Sequence, residues 1–205
     1  MKQTIPFPQS GRPSASGPTP RLLCWLMGLL LLASLPARGA FAPPTAVEED
    51  GIRFELVGHG AFRWKRLVHA YDASLHAGQG SKRDSLLAGA PLRLEIHYRR
   101  EFSAPDIVSG GDALLKRNVT AETWRRLQPR LTQLNSAYLD VKPGDRYTLT
   151  WVPGTGTTLR LNGKALVTVE GADFALAYFR IWLGEEPIST ALRDQLLGDD
   201  KPSQP

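Results

Sequence analysis

Few side chains in this sequence have both the type and the spacing that chemistry requires. Histidines stand at positions 59, 69, 76 and 97. A metal site favours imidazoles one helical turn apart or beside a cysteine pair, and none of the four is so placed. The one cysteine, Cys24, lies in an apolar stretch near the start of the chain. A disulfide framework, a thiolate metal cluster and a cysteine nucleophile are therefore excluded for the body of the protein. There is no Gly-x-Ser-x-Gly elbow. Gly154-Thr155-Gly156-Thr157 lacks the Gly-Lys-Ser/Thr of a phosphate loop and reads as a turn. No cofactor and no metal are expected.

What remains is a basic and aromatic cluster. Arg63, Lys65 and Arg66 interleave with Phe62 and Trp64, and Tyr71 and Asp72 follow on the same extended segment. Two readings are open. The bases line a solvated strand face, or one arginine turns inward and grips a carboxylate or enolate through paired hydrogen bonds. Tyr71 either satisfies its hydroxyl in the core or orients a ligand.

The elements that must position these groups follow from periodicity. Ile52, Phe54 and Leu56 alternate with polar residues as a half-buried strand, which Gly58-His59-Gly60 is expected to break. Residues 61–76 are extended and 78–90 form a polar loop. Leu92, Leu94, Ile96 and Tyr98 alternate with Arg93, Glu95, His97 and Arg99, giving one core face and one wet face. Ser103 with Asp106 resembles a capping box, and it opens a helix that runs to about Asn118. Thr120 caps a second helix with Trp124, Leu127, Leu131, Leu134 and Tyr138 on one face and Pro129 as a kink. Asn118-Val119-Thr120 also fits a glycosylation sequon, but the cap is the simpler use.

Three strands follow, with apolar faces at 147–151, 157–161 and 165–169, and Asn162-Gly163 is a hairpin turn. Helices are expected at 173–183 and 189–197, each stopped by a glycine. Strands and helices in separate blocks argue for an α+β fold, an antiparallel sheet covered by helices.

The chain has 205 residues, 42% of them apolar, too many for wholesale disorder. Its net charge of +5 is concentrated at the start: residues 1–40 hold Lys2, Arg12, Arg21 and Arg38 and no acid. The remainder is nearly neutral, a poor candidate for broad phosphate binding, and no nucleic-acid partner is expected. Residues 22–35 form an apolar run too short to span a bilayer, with bases before it and small residues after it. That is the pattern of a secretory signal. The expected organisation is a signal with a polar extension over 1–40, a linker over 41–51, one domain over 52–198 and a disordered tail over 199–205. Processing would leave no stable transmembrane helix, and the mature protein would be periplasmic or secreted.

Several segments together resemble one family. They are Tyr71-Asp72-Ala73-Ser74-Leu75, Leu94-Glu95-Ile96-His97-Tyr98-Arg99-Arg100, Asp140-Val141-Lys142-Pro143-Gly144-Asp145-Arg146, Leu161-Asn162-Gly163 and Phe174-Ala175-Leu176-Ala177-Tyr178-Phe179-Arg180-Ile181-Trp182-Leu183-Gly184. In order and spacing the chain resembles the exported bacterial branch of the chalcone isomerase-like family, over about 52–198. The resemblance implies an open-faced β-sandwich with a pocket between the sheet and its helices. Plant members close a flavanone ring without a cofactor, and plastid members bind fatty acids. In both, an arginine after a glycine-rich strand break faces the ligand's anionic end. Gly58-His59-Gly60-Ala61-Phe62-Arg63 resembles that segment, with one extra residue, and Tyr71 falls near a polar ligand-facing position.

The enzymes carry their catalytic tyrosine in the helical region, yet residues 103–137 here contain none. The resemblance therefore implies a non-catalytic binder of a small amphipathic, fatty-acid-like ligand. Arg63 would hold the head group, with Tyr71 as a second donor and Leu94, Ile96 and Tyr98 as a wall facing Phe174, Tyr178 and Trp182. The alternatives are a cofactor-free isomerase or lyase on a chalcone-like phenol, and an envelope scaffold or assembly factor whose protein partner the sequence does not name. Amino-terminal sequencing of the envelope fraction should give a first residue between 38 and 43. An intact Met1 or Lys2 on membrane-bound protein would point to an anchor instead.

Overall fold

The computed structural model describes residues 41–199 apart from Arg66. The expected signal and all but the first residue of the expected tail lie outside this range. Alternating apolar side chains build one sheet of seven antiparallel strands whose order follows the sequence. The strands are β1 (Ala46–Glu49), β2 (Ile52–Trp64), β3 (Val68–Gly78), β4 (Leu92–Tyr98), β5 (Arg146–Val152), β6 (Gly156–Leu161) and β7 (Lys164–Val169). Helices α1 (Ala104–Asn118) and α2 (Ala121–Asn135) lie between β4 and β5. Helices α3 (Ala172–Leu183) and α4 (Thr190–Leu196) close the chain. This is the α+β, open-faced arrangement that the sequence predicts.

The local signals explain the boundaries. The Ser103 hydroxyl accepts from the Asp106 amide and donates to its carboxylate, opening α1. Thr120 and Ser189 cap α2 and α4 by accepting from the Thr123 and Leu192 amides. The Asn118 side chain is already committed, donating to Glu186 O and accepting from Glu186 N. Asn162 and Gly163 take φ of 51° and 85°, the mirror-image turn that suits a tight hairpin.

Three expectations need correction. First, the linker over 41–51 contains β1, which pairs with β2 through a turn at Asp50 and Gly51, φ 52° and 74°. Second, Gly58-His59-Gly60 does not break the strand. β2 runs through it with a bulge: Leu56 pairs with His76, and Gly58 with Leu75. One extra residue turns the strand over. Gly58, Gly60 and Phe62 therefore share the helix-covered face with Leu75, Ala73 and Tyr71, while Phe54 and Leu56 point to the other side. Fully buried Phe54 is consequently not part of the main core.

Third, the face bearing Arg93 and Glu95 is not simply wet. Glu49 accepts from Arg93 at 3.0 Å, from Arg160 at 2.8 Å and from the Thr150 hydroxyl. Arg93 also donates to Glu95, and Arg160 grips both oxygens of Asp50. Segment 41–45 lies on this face, where Pro44 O pairs with His76 Nε2 at 2.9 Å and Phe41 meets His59 and His97. Burial lowers the His76 pKa, which keeps that imidazole neutral.

The glycines of β2 have a steric purpose. A Cβ on Gly58 would stand 2.2 Å from Gln195 O and 2.8 Å from Leu196 O, and one on Gly60 would meet the Gln195 side chain. Only bare backbone lets the end of α4 lie this close to the sheet. Gly58→Ala should therefore cost about 1–3 kcal/mol of stability in urea unfolding. A variant as stable as the parent would show that α4 can shift at no cost.

Candidate functional site

Above the sheet's inner face the side chains do not fill all the space between strands and helices. A cavity of about 210 Å³ remains. Its floor is Phe62 on β2, Tyr71 on β3, Leu94, Ile96 and Tyr98 on β4, Tyr147 and Leu149 on β5 and Leu159 on β6. Its roof is Asp106, Ile107, Gly110, Gly111 and Leu114 on α1, and Tyr178, Ile181 and Trp182 on α3, with Phe102, Tyr138 and Ile188 beside them.

Two features of the helices make this space. α1 carries consecutive glycines over the cavity. Nothing lies within 4 Å of a Cβ placed on Gly110, and one on Gly111 would touch only the Tyr178 hydroxyl, at 3.6 Å. Asp106 and Gly110, one turn apart, are exposed and stand at the mouth. α3 is fixed from below: Arg130 of α2 grips Asp173 with two bonds of 2.7 and 2.8 Å, holding its carboxyl below the usual range. That clamp sets the helix whose later turns deliver Tyr178 and Trp182.

All five tyrosines of the chain line the cavity. Their rings pack at angles: Tyr98 meets Tyr71 at 6.0 Å, Phe102 at 5.5 Å and Tyr147 at 6.1 Å between centroids. Tyr178 stacks on Phe174. Trp182 Nε1 donates to the Tyr71 hydroxyl at 3.3 Å. Tyr138 and Tyr178 share one hydroxyl hydrogen bond of 3.0 Å. The Tyr147 hydroxyl donates to Leu139 O and accepts from Leu139 N. Tyr98 has no hydroxyl partner among the described residues. Burial pushes the phenols of Tyr71, Tyr98, Tyr138, Tyr147 and Tyr178 above the ordinary tyrosine value, so all five are neutral donors near pH 7.

A count of donors shows what the site offers. The Tyr71 oxygen accepts from Trp182, so its own proton is free. The Tyr138–Tyr178 pair uses one of its two protons, and the Tyr98 proton has no protein acceptor. Three phenolic donors are thus left, in a cavity otherwise lined mostly by hydrocarbon. Such a surface suits a ligand with an apolar body and one oxygen-rich end.

Of the residues singled out in the sequence, the structure brings Tyr71, Tyr98, Leu94, Ile96, Tyr178 and Trp182 together at the cavity. Phe174 stands one layer back. Arg63 is the correction. Phe62 pairs with Tyr71 and takes the wall position, while Arg63, past a second register shift, pairs with His69 and is exposed. Among the described residues no lysine, arginine or histidine lines the cavity. Tyr138 and Tyr147 were legible only as helix-face and strand-face residues. Tyr138 follows α2 and lies just beyond the stretch that lacks tyrosine. The signal that could have located the site is Gly110-Gly111, because two glycines inside a helix are unfavourable unless something needs the room.

A family model described as chalcone isomerase-like matches residues 38–198. Among solved structures, a fatty-acid binding protein from Arabidopsis thaliana superposes with a TM-score of 0.58 at 14% identity, covering 78% of this chain and 92% of that one. A search of curated protein sequences gives no match. Gly110→Ala should stabilise the protein by about 0.5–1 kcal/mol, since the methyl group meets no neighbour. A fall in its urea midpoint would show that α1 needs the glycine for its backbone and not for space.

Proposed function

We propose that this chain, which belongs to the chalcone isomerase-like family, is an exported, non-catalytic binder of a small amphipathic acid with a short or medium acyl chain. The observation that carries this reading is the set of phenolic donors without protein acceptors in an apolar cavity. A carboxylic acid supplies the acceptors, and its chain supplies the apolar surface. The cavity volume of about 210 Å³ lies below the roughly 300–1,000 Å³ of typical small-molecule sites, which favours a slim ligand. The fatty-acid binding neighbour from Arabidopsis thaliana supports the same class of ligand.

Catalysis is disfavoured on physical grounds. Proton transfer is most efficient from a group whose pKa lies near the working pH. Burial moves all five phenols further from it. The one carboxylate at the cavity, Asp106, is engaged by Ser103 in the α1 cap. Export to the envelope is supported by the acid-free N-terminal segment and its short apolar run. Among the described residues no helix is long and apolar enough to cross a membrane.

Calorimetric titration with decanoate tests the site. Tyr98→Phe should weaken binding by about ten- to hundredfold, the value of a hydrogen bond to a charged group. Arg63→Ala should bind like the parent. If Arg63→Ala loses affinity and Tyr98→Phe does not, the head group sits elsewhere. If decanoate does not bind at all, the cavity is not a site for acids. In the same preparation, a 2′-hydroxychalcone should cyclise no faster than in buffer, and saturable turnover would restore the isomerase reading.

A further inference from the structure

The basic and aromatic segment singled out in the sequence is not used by the cavity. It forms the tip of the β2–β3 hairpin, reading Arg63-Trp64-Lys65-Arg66-Leu67. Trp64 is 55% exposed and Leu67 85%, and they are two of the three large apolar side chains exposed among the described residues. The Leu67 amide donates to Trp64 O at 3.2 Å, which closes the turn and carries both side chains on one short loop. The Lys65 ammonium lies 4.5 Å from the centre of the Trp64 ring. No acid occurs between Ala61 and Ala70. Asp72, further along β3, is buried and paired with His69 and Arg99.

We infer that this hairpin tip docks on an anionic phospholipid surface. Three bases at the tip match the charge of such a surface, and each base held near it contributes about fivefold in affinity. An indole beside a leucine suits the headgroup boundary, where an amphipathic ring can bury its body and keep its polar edge wet. The size of the feature argues against a protein partner. A specific protein interface needs roughly 800 Å² on each side, and two side chains on a narrow turn provide far less. A bilayer requires only a point of insertion. The inference does not depend on what the cavity holds.

Flotation of the full chain with phosphatidylcholine vesicles, with and without phosphatidylglycerol, tests it. The parent should float preferentially with the anionic vesicles. Trp64→Ala with Leu67→Ser should lower partitioning about tenfold. Arg63→Gln, Lys65→Gln and Arg66→Gln together should abolish the preference for phosphatidylglycerol. Arg63, Trp64, Lys65 and Leu67 are exposed, and unchanged thermal melts will confirm that each variant folds. The proposal is overturned if the variants float like the parent, as they would if the apolar run at 22–35 alone held the chain on lipid. It is overturned equally if the parent binds neither vesicle.

Discussion

One extra residue in β2 decides which side of the sheet each part of that strand serves. Before the bulge, Phe54 and Leu56 belong with His76 on the ion-pair side. After it, Gly58, Gly60 and Phe62 belong with the helices. Every neighbouring feature follows from that reversal. The two glycines receive the end of α4, Phe62 becomes a cavity wall, and Arg63 is turned out. Without the bulge the strand would present His59 and Ala61 to α4 in place of the glycines, and the helix could not seat.

The opposite face has its own constraint. Glu49, on the short edge strand β1, collects donors from β4, β5 and β6. An acid gathering three donors from three strands leaves few alternative pairings for the edge. Removing Glu49 would leave Arg93 with Glu95 alone and Arg160 with Asp50 alone, unbalancing a poorly solvated cluster at a cost above what an intact pair contributes. The network therefore acts chiefly on register, fixing where β1 lies against a sheet whose strands would otherwise tolerate a slip.

Sequence reasoning succeeds here wherever the cause is local. The caps at Ser103, Thr120 and Ser189, the turn at Asn162-Gly163 and the alternation from Leu92 to Tyr98 are each settled within a few residues. It fails where the cause is distant. The glycines of β2 read as a break because the helix that requires them comes more than a hundred residues later. For Arg63 the residues leave inward and outward both open, and only the resemblance implies inward, because a bulge leaves no mark in an alternating pattern. The Asp50-Gly51 turn is a local signal, but the strand before it is only four residues long, too short for an alternating pattern to show. The cavity is the extreme case. Its five tyrosines sit on five separate segments between 71 and 178, and no spacing in the chain relates them.

The meander order of the sheet sets the order in which the chain can be built. β1 to β3 are joined by tight turns, β3 to β4 by residues 79–91, and β5 to β7 again by tight turns, so each group can zip at modest entropic cost. Only the β4–β5 pairing spans a long segment, residues 99–145, with both α1 and α2 inside it. Closing that segment is the slow event such a topology imposes. Tyr71 and Tyr98 come before this segment, Tyr138 lies inside it, and Tyr147 and Tyr178 come after it. Until the seam closes there is no cavity, only two aromatic half-surfaces facing water. Chains in that state are the ones most prone to associate through those surfaces, and a ligand that fits the finished site would favour the joined form.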